Sequence, residues 1–159
     1  MINRITPENI EKLSSNQIFV FGSNELGKHG KGAAKFALEL CGAKYGIGYG
    51  LQGQSFAIPT KSTPYKTLSI SKIKNYVKDF IAFAATHPEL TFLVSKIGCG
   101  LAGFDVKEIA PLFKSAISIR NIHLPAEFWD ELLIYQNSDP LTESDIEWAN
   151  QVIEKRLCK

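Results

Sequence analysis

The chain has 159 residues, of which 45% are hydrophobic and 21% are charged, and its formal net charge is +2. This length and composition are typical of one globular domain with a substantial core, and they exclude a disordered or low-complexity chain. The small net charge argues against general nucleic-acid binding. Lysines nevertheless cluster around two glycine-rich segments, at Lys28, Lys31, Lys61 and Lys96.

Targeting signals and cysteine pairs are both missing from the sequence. No signal peptide and no apolar run of about 18 residues occurs, so we expect a cytoplasmic protein without a membrane span. The cysteines are Cys41, Cys99 and Cys158, an odd number at wide spacing. This fits neither a disulfide framework nor a zinc site, so we expect reduced thiols, no bound metal and no cofactor.

The first part of the chain predicts a helix, a strand and a glycine loop. In the polar lead-in, Thr6 has the position of a helix cap and Pro7 that of the first helical residue. The apolar run Ile18 to Phe21 predicts a buried strand. The first glycine loop, residues 22–32, follows with glycines at 22, 27, 30 and 32, and helical spacing then extends from Ala33 to Cys41.

This first glycine loop predicts a site for an anion. Glycines let backbone N–H groups approach a ligand closely, and a helix start adds a partial positive charge. The loop lacks the GxxxxGK(S/T) and GxGxxG signatures of nucleotide triphosphate and dinucleotide folds. An alternative interpretation, in which the glycines serve only turns, therefore stays open at this point.

The middle of the chain predicts one short strand and one clear helix. Five glycines alternate with aromatic and polar residues from 41 to 54, which indicates irregular structure. A short strand is expected at Ser55–Ile58, ended by Pro59 and followed by a loop. Apolar residues at spacings of three and four from Ile70 to Ala84 predict a helix, with Ser69 or Ser71 as its cap.

The remaining pattern repeats the order of strand, glycine loop and helix. Thr91–Val94 predicts a strand that leads to the second glycine loop, residues 98–104. Asp105 and Glu108 have capping-box spacing ahead of a helix that Pro111 should interrupt. A last strand is expected at Asn121–Leu124, with helices at 126–135 and 142–157. Alternating strands and helices predict one α/β domain whose largely parallel sheet carries both loops at one edge.

The sequences of the two loops resemble those of a known family. The stretch VFGSNELGKHGKGAAKFA joins a strand, an asparagine, a spacer, a glycine run and a helix start, and VSKIGCGLAGF joins a strand to a Gly-x-Gly turn and an aromatic residue. Together they resemble the ligand loops of macro domains. The resemblance covers residues 18–124 of a single domain, 1–159, with a C-terminal helical extension at 126–157. It implies a three-layer α/β/α sandwich with a mixed, largely parallel sheet.

The resemblance also implies a ligand, namely ADP-ribose, a related nucleotide diphosphate or an ADP-ribosylated macromolecule. It places Asn24 near the distal ribose, the one farther from adenine, and the backbone of the second glycine loop against the diphosphate. The full set of implied ligand-binding residues is Gly22, Ser23, Asn24, Gly30, Gly32, Lys96, Gly98, Cys99, Gly100, Leu101, Ala102, Gly103 and Phe104.

Two departures from the family pattern concern adenine and hydrolysis. Macro domains hold adenine with an acidic residue in a Gly-Asp-Ile-like stretch, and nothing similar stands before Ile18. Ala33 and Ala34 stand where some ADP-ribose hydrolases of the family carry an acidic residue. The resemblance therefore implies a divergent branch, in which an ADP-ribosyl hydrolase activity is an open question.

Four side chains are candidates for catalysis. Asn24, Glu25 and His29 are the candidate catalytic residues, with Glu25 activating water or holding a ribose hydroxyl and His29 acting as acid or base. For Glu25 and His29 the alternative is a solvated or phosphate-contacting side chain. Cys99, near Lys96, is a candidate nucleophile. Two other functions stay open: an enzyme acting on another nucleotide or phosphorylated metabolite through Glu25, His29 or Cys99, and a non-catalytic interaction protein.

Overall fold

The protein is a mixed α/β fold built on a six-stranded, mostly parallel sheet. The computed structural model describes residues 2–138 together with Glu147 and Gln151. The strands are β1 (Gln17–Asn24), β2 (Gly50–Gln52), β3 (Ser55–Thr63), β4 (Lys66–Thr67), β5 (Thr91–Val94) and β6 (Ile122–His123). The helices are α1 (Gly32–Leu40), α2 (Ile70–Ala85), α3 (Val106–Ile109) and α4 (Ala126–Ser138), with a 3-10 helix (Ala110–Ser118) after α3.

Strand β1 lies in the middle of the sheet, whose strand order is β2-β3-β1-β5-β6, with β4 beside β3. β3 and β5 flank β1 and run parallel to it, and β6 runs parallel to β5. The short strands β2 and β4 are antiparallel to β3. Because β1 and β5 are parallel neighbours, the loops that follow them leave the sheet at the same edge, as the sequence predicts.

The side chains of β1 are buried on both faces of the sheet. Ile18 and Val20 belong to a large hydrophobic cluster that includes residues of α2, the 3-10 helix and α4. Phe19 and Phe21 belong to a smaller cluster that includes Ala37 of α1. Successive strand residues point to opposite faces, so the continuous apolar run identified in the sequence is what a central strand requires.

The helix signals in the sequence are confirmed where the residues that interact lie only a few positions apart in the chain. In α2 the buried residues follow the predicted spacing, and the Ser69 hydroxyl oxygen accepts a hydrogen bond from the Lys72 N–H at 3.3 Å. Asp105 and Glu108 form the predicted capping box. Helix α3, which follows this box, has only four residues and continues as the 3-10 helix from Ala110. The change falls next to Pro111, where the sequence predicts an interruption.

The predicted helix at Thr6 and Pro7 is wrong, because this lead-in instead runs beside the residues that follow β6, the outermost strand of the sheet. The Thr6 N–H donates to the Leu124 carbonyl at 2.9 Å, and Ile5 forms a parallel bridge with Leu124. The Trp129 indole N–H also donates to the Arg4 carbonyl, at 2.7 Å. A short isolated helix is marginal in water, so these long-range hydrogen bonds determine the conformation instead.

One strand prediction is too short, one strand was not predicted, and one helix is longer than expected. β3 continues through Pro59 to Thr63. Pro59 lies opposite Ser23 in the ladder with β1, and it falls between the stretch that pairs with β2 and the stretch that pairs with β4, so its missing N–H affects neither antiparallel ladder. β2 occupies three residues of the segment expected to be irregular. α4 extends to Ser138. The predicted helix at 142–157 lies outside the described residues, except for Glu147 and Gln151.

Candidate anion-binding site

The two glycine loops meet around a cavity of about 530 Å³, called here the loop cavity. The turn between β3 and β4 closes a further side of it. The predicted ligand-binding residues that line it are Gly22, Ser23, Asn24, Gly30, Gly32, Gly98, Gly100, Leu101 and Ala102. Those that do not line it are Lys96, Cys99, Gly103 and Phe104.

The backbones of the two loops approach each other closely at Gly22 and Gly98. A Cβ atom on Gly22 would lie 3.6 Å from the Gly98 nitrogen. At Gly98 the φ angle is +75°, and a Cβ atom there would lie 2.9 Å from Cδ1 of Ile109. Both the backbone conformation and the contact require glycine at 98. At Gly22 the distance is an ordinary van der Waals contact, so glycine is required only at 98, and both residues border the cavity.

The charge around the loop cavity is positive. Lys28, Lys31 and Lys61 line it, and no Asp, Glu, His or Cys side chain is among its described lining residues. Helix α1 also begins there, with no side-chain hydrogen bond at its cap residue, Lys31, and no acidic residue in its first turn. Its first N–H groups and three ammonium groups make this cavity suited to an anion.

The polar side chains at the end of β1 hold the first glycine loop in shape. The Asn24 side chain accepts a hydrogen bond from the Lys28 N–H at 3.0 Å and donates one to the Lys28 carbonyl at 2.9 Å. The Ser23 hydroxyl donates to the Gly48 carbonyl. Both residues are buried. Each borders the cavity, yet each side chain is already hydrogen-bonded within the protein.

Glu25 does not line the loop cavity, because its carboxylate contacts α2 instead. The Tyr76 hydroxyl donates to Glu25 Oε1 at 2.7 Å, and Lys72 Nζ lies 3.0 Å from the same oxygen. The hydrogen bond from Tyr76 and the contacts with Lys72 lower the pKa of Glu25. Burial and the neighbouring Glu25 raise the pKa of Tyr76 to about 12. The carboxylate thus ties the first glycine loop to α2.

His29 is likewise turned away from the loop cavity and is only 1% exposed. Its Nε2 lies 3.1 Å from both the Lys44 and the Ile47 carbonyl oxygens. Carbonyls only accept hydrogen bonds, so Nε2 carries the proton, and the buried Nδ1 has no partner among the residues that the structure describes. The ring packs edge-on against Phe21. This side chain joins the first glycine loop to the following segment and is neither solvated nor in the cavity.

The remaining predicted site residues also face other surroundings. Cys99 packs against the large hydrophobic cluster, and burial, aided by Asp105, raises the pKa of its thiol to about 11. The Lys96 ammonium pairs with the Glu127 carboxylate. Phe104 packs against the same cluster as Cys99, and its N–H donates to the Gly98 carbonyl at 2.9 Å. Its hydrogen bond closes the second glycine loop.

A second cavity, called here the lead-in cavity, has a volume of about 990 Å³ and was missed by the sequence analysis. It shares Ala33 and Ser95 with the loop cavity. Thr6 is one of its lining residues, and its side-chain oxygen is buried with no hydrogen-bond partner in the described part of the chain. The acidic residues of the lead-in could have indicated this cavity, but the wrong prediction of a helix there gave no reason to place them at a cavity wall. The charged side chains that line it are Glu8, Glu11, Lys96 and Glu127.

Comparisons with protein-family models, with curated proteins and with solved structures find no match for this chain. Within the part of the chain that the structure describes, no helix is long and apolar enough to cross a membrane. The same residues contain no group of three or more His, Cys, Asp or Glu side chains placed to hold a metal ion. The function must therefore be argued from the two cavities.

Proposed function

We propose that this chain is a divergent macro domain that binds ADP-ribose or a related nucleotide diphosphate in the loop cavity. The observation that carries the proposal is the lining, which combines two glycine-loop backbones and an uncapped helix start with Lys28, Lys31 and Lys61. A diphosphate accepts hydrogen bonds and bears negative charge, and no acidic side chain among the described lining residues opposes it. The volume is that of an ordinary small-molecule site.

The finer architecture in this proposal is a three-layer α/β/α sandwich. It is supported by the alternation along β1, which sends Ile18 and Val20 into one hydrophobic cluster and Phe19 and Phe21 into the other. The larger cluster contains α2 and α4, and the smaller one contains α1. In such a fold a ligand binds beyond the carboxyl ends of the parallel strands, where the loop cavity lies.

Under this proposal, the adenine of the ligand binds in the lead-in cavity. The two cavities adjoin at Ala33 and Ser95, and in this proposal one extended ligand spans from the lysines to the lead-in. Glu8, which lines this cavity, offers a carboxylate to the amino group of adenine. An acidic residue ahead of the first glycine loop is thus present, although outside the Gly-Asp-Ile-like pattern of the family.

Binding is the function that the site supports, in preference to hydrolysis. Glu25 is engaged by Tyr76 and Lys72, His29 by two backbone carbonyls, and Cys99 packs against the large cluster. A general base must reach the proton that it abstracts, directly or through one water. None of the three lines the loop cavity. The alternative of an enzyme that uses these residues loses its catalytic groups for the same reason.

Calorimetric titration with ADP-ribose tests the proposal, with ADP, NAD and ribose 5-phosphate in parallel. We expect micromolar binding of ADP-ribose and weaker binding of ribose 5-phosphate, which lacks both the diphosphate and the base. No heat and no thermal shift with any of the four would overturn the proposal. Incubation with a mono-ADP-ribosylated protein then tests hydrolysis, and we expect no release of ADP-ribose.

A further inference from the structure

Two exposed side chains stand at the rim of the loop cavity. Tyr65, in the turn between β3 and β4, is 96% exposed although it lines the cavity, and Leu101 of the second glycine loop is 69% exposed. Neither side chain buries much surface in the folded chain, so neither contributes much to the stability of the fold. Exposed apolar side chains at the rim of a charged cavity are available to contact a ligand that is bound there.

The rim is fixed to the cavity by hydrogen bonds. The Tyr65 N–H donates to the Thr63 side-chain oxygen at 3.2 Å, and Lys61 Nζ donates to the Pro64 carbonyl at 3.0 Å. The Thr67 hydroxyl donates to the Ala102 carbonyl at 3.2 Å, which joins β4 to the second glycine loop. The backbone that carries Tyr65 is therefore held beside the lysine-lined part of the cavity, and Tyr65 is one of the residues that line it.

We infer that Tyr65, together with Leu101, stacks on a second planar ring of the ligand, so that the site selects a dinucleotide over ADP-ribose. The inference rests on the proposed function, because a diphosphate held by the lysines is what brings a distal ring to the rim. Stacking of a base on an aromatic side chain strengthens binding by about tenfold or more. A neutral ring suits this position better than a cationic nicotinamide, since Lys28, Lys31 and Lys61 are close by.

The test compares ADP-ribose with diadenosine diphosphate, which carries a second adenine on the distal ribose and is otherwise similar. In the unaltered protein we expect diadenosine diphosphate to bind about tenfold more tightly. Tyr65→Ala should reduce this ratio to about one, and Tyr65→Phe should preserve it. Tyr45 is the matched control, because it is 66% exposed and lines neither cavity. Tyr45→Ala should leave the ratio unchanged.

The outcomes separate this inference from the proposed function. Equal affinities for the two ligands in the unaltered protein, or an unchanged ratio in Tyr65→Ala, would overturn the inference while ADP-ribose binding stands. Loss of the ratio in Tyr65→Ala with retention in Tyr65→Phe supports it. If neither ligand binds, the proposed function fails, and the inference fails with it.

Discussion

A negative charge placed at Gly100 should abolish most ADP-ribose binding without harming the fold. Gly100 lines the loop cavity, its backbone lies outside the left-handed region, and a Cβ atom there meets nothing within 4 Å. Gly100→Glu therefore adds a carboxylate next to the diphosphate position. At a separation of about 6 Å and an effective dielectric constant of about 40, each pair of like charges costs ~1.4 kcal/mol.

Two phosphate charges thus cost ~3 kcal/mol, which is roughly a hundredfold in Kd. Gly100→Gln is the matched control, because it adds nearly the same volume without the charge and isolates steric effects. Calorimetry at low salt measures both Kd values, and added salt should narrow the difference between them. Equal Kd values for Gly100→Glu and Gly100→Gln, with both proteins folded by thermal melting, would refute the placement of the diphosphate beside this residue.

Three further perturbations test other contacts. Lys28→Ala should weaken ADP-ribose binding by about tenfold, whereas Lys78→Ala, at an exposed residue of α2 that lines neither cavity, should change Kd less than about twofold in the same titration. Alkylation of Cys99, followed by peptide mass spectrometry, should be about a hundredfold slower at pH 8 than that of an exposed thiol, because its pKa is raised from 9.0 to about 11; an equal rate would contradict the burial. Tyr76→Phe should lower the free energy of unfolding in urea by ~1–2 kcal/mol at pH 7. Because the pKa of Glu25 is lowered in the folded state, this loss should shrink as the pH falls below the ordinary value of 4.5, and a constant loss would contradict the assigned hydrogen bond.

The elements that the sequence predicts well are those whose determinants lie within them. The periodicity of α2 and the capping box at Asp105 act over three or four residues, so they are legible without a partner. By contrast, Thr6 has a helix-start pattern, but its N–H bonds to Leu124 from the far end of the domain. β2 exists because Gly50–Gln52 pairs with β3, and glycine content alone indicates a loop. Pairing between distant segments is what the local pattern omits.

In the candidate site, too, some features could be predicted from the sequence and others could not. The meeting of the two glycine loops follows from strand order, because β1 and β5 are parallel neighbours whose ends share one edge. The direction of each side chain does not follow from that order. Glu25 meets Tyr76 of α2, and His29 meets the carbonyls of Lys44 and Ile47, through contacts between distant residues. A polar residue in a glycine loop is therefore a weak predictor of chemistry, since such a side chain often holds the loop itself.

The two cavities differ in charge, and this difference favours one orientation of the proposed ligand. The loop cavity presents three lysines, whereas Glu8, Glu11 and Glu127 face the lead-in cavity with only Lys96 of opposite sign among its described lining residues. Phosphates placed in the lead-in cavity would be repelled by the carboxylates, and a hydrogen-bond donor there would be attracted to them. In the proposed complex, a nucleotide diphosphate therefore has its adenine toward the lead-in and its distal end toward Tyr65. The opposite orientation would keep the diphosphate beside the lysines, but it would remove the amino group of adenine from the carboxylates of the lead-in cavity.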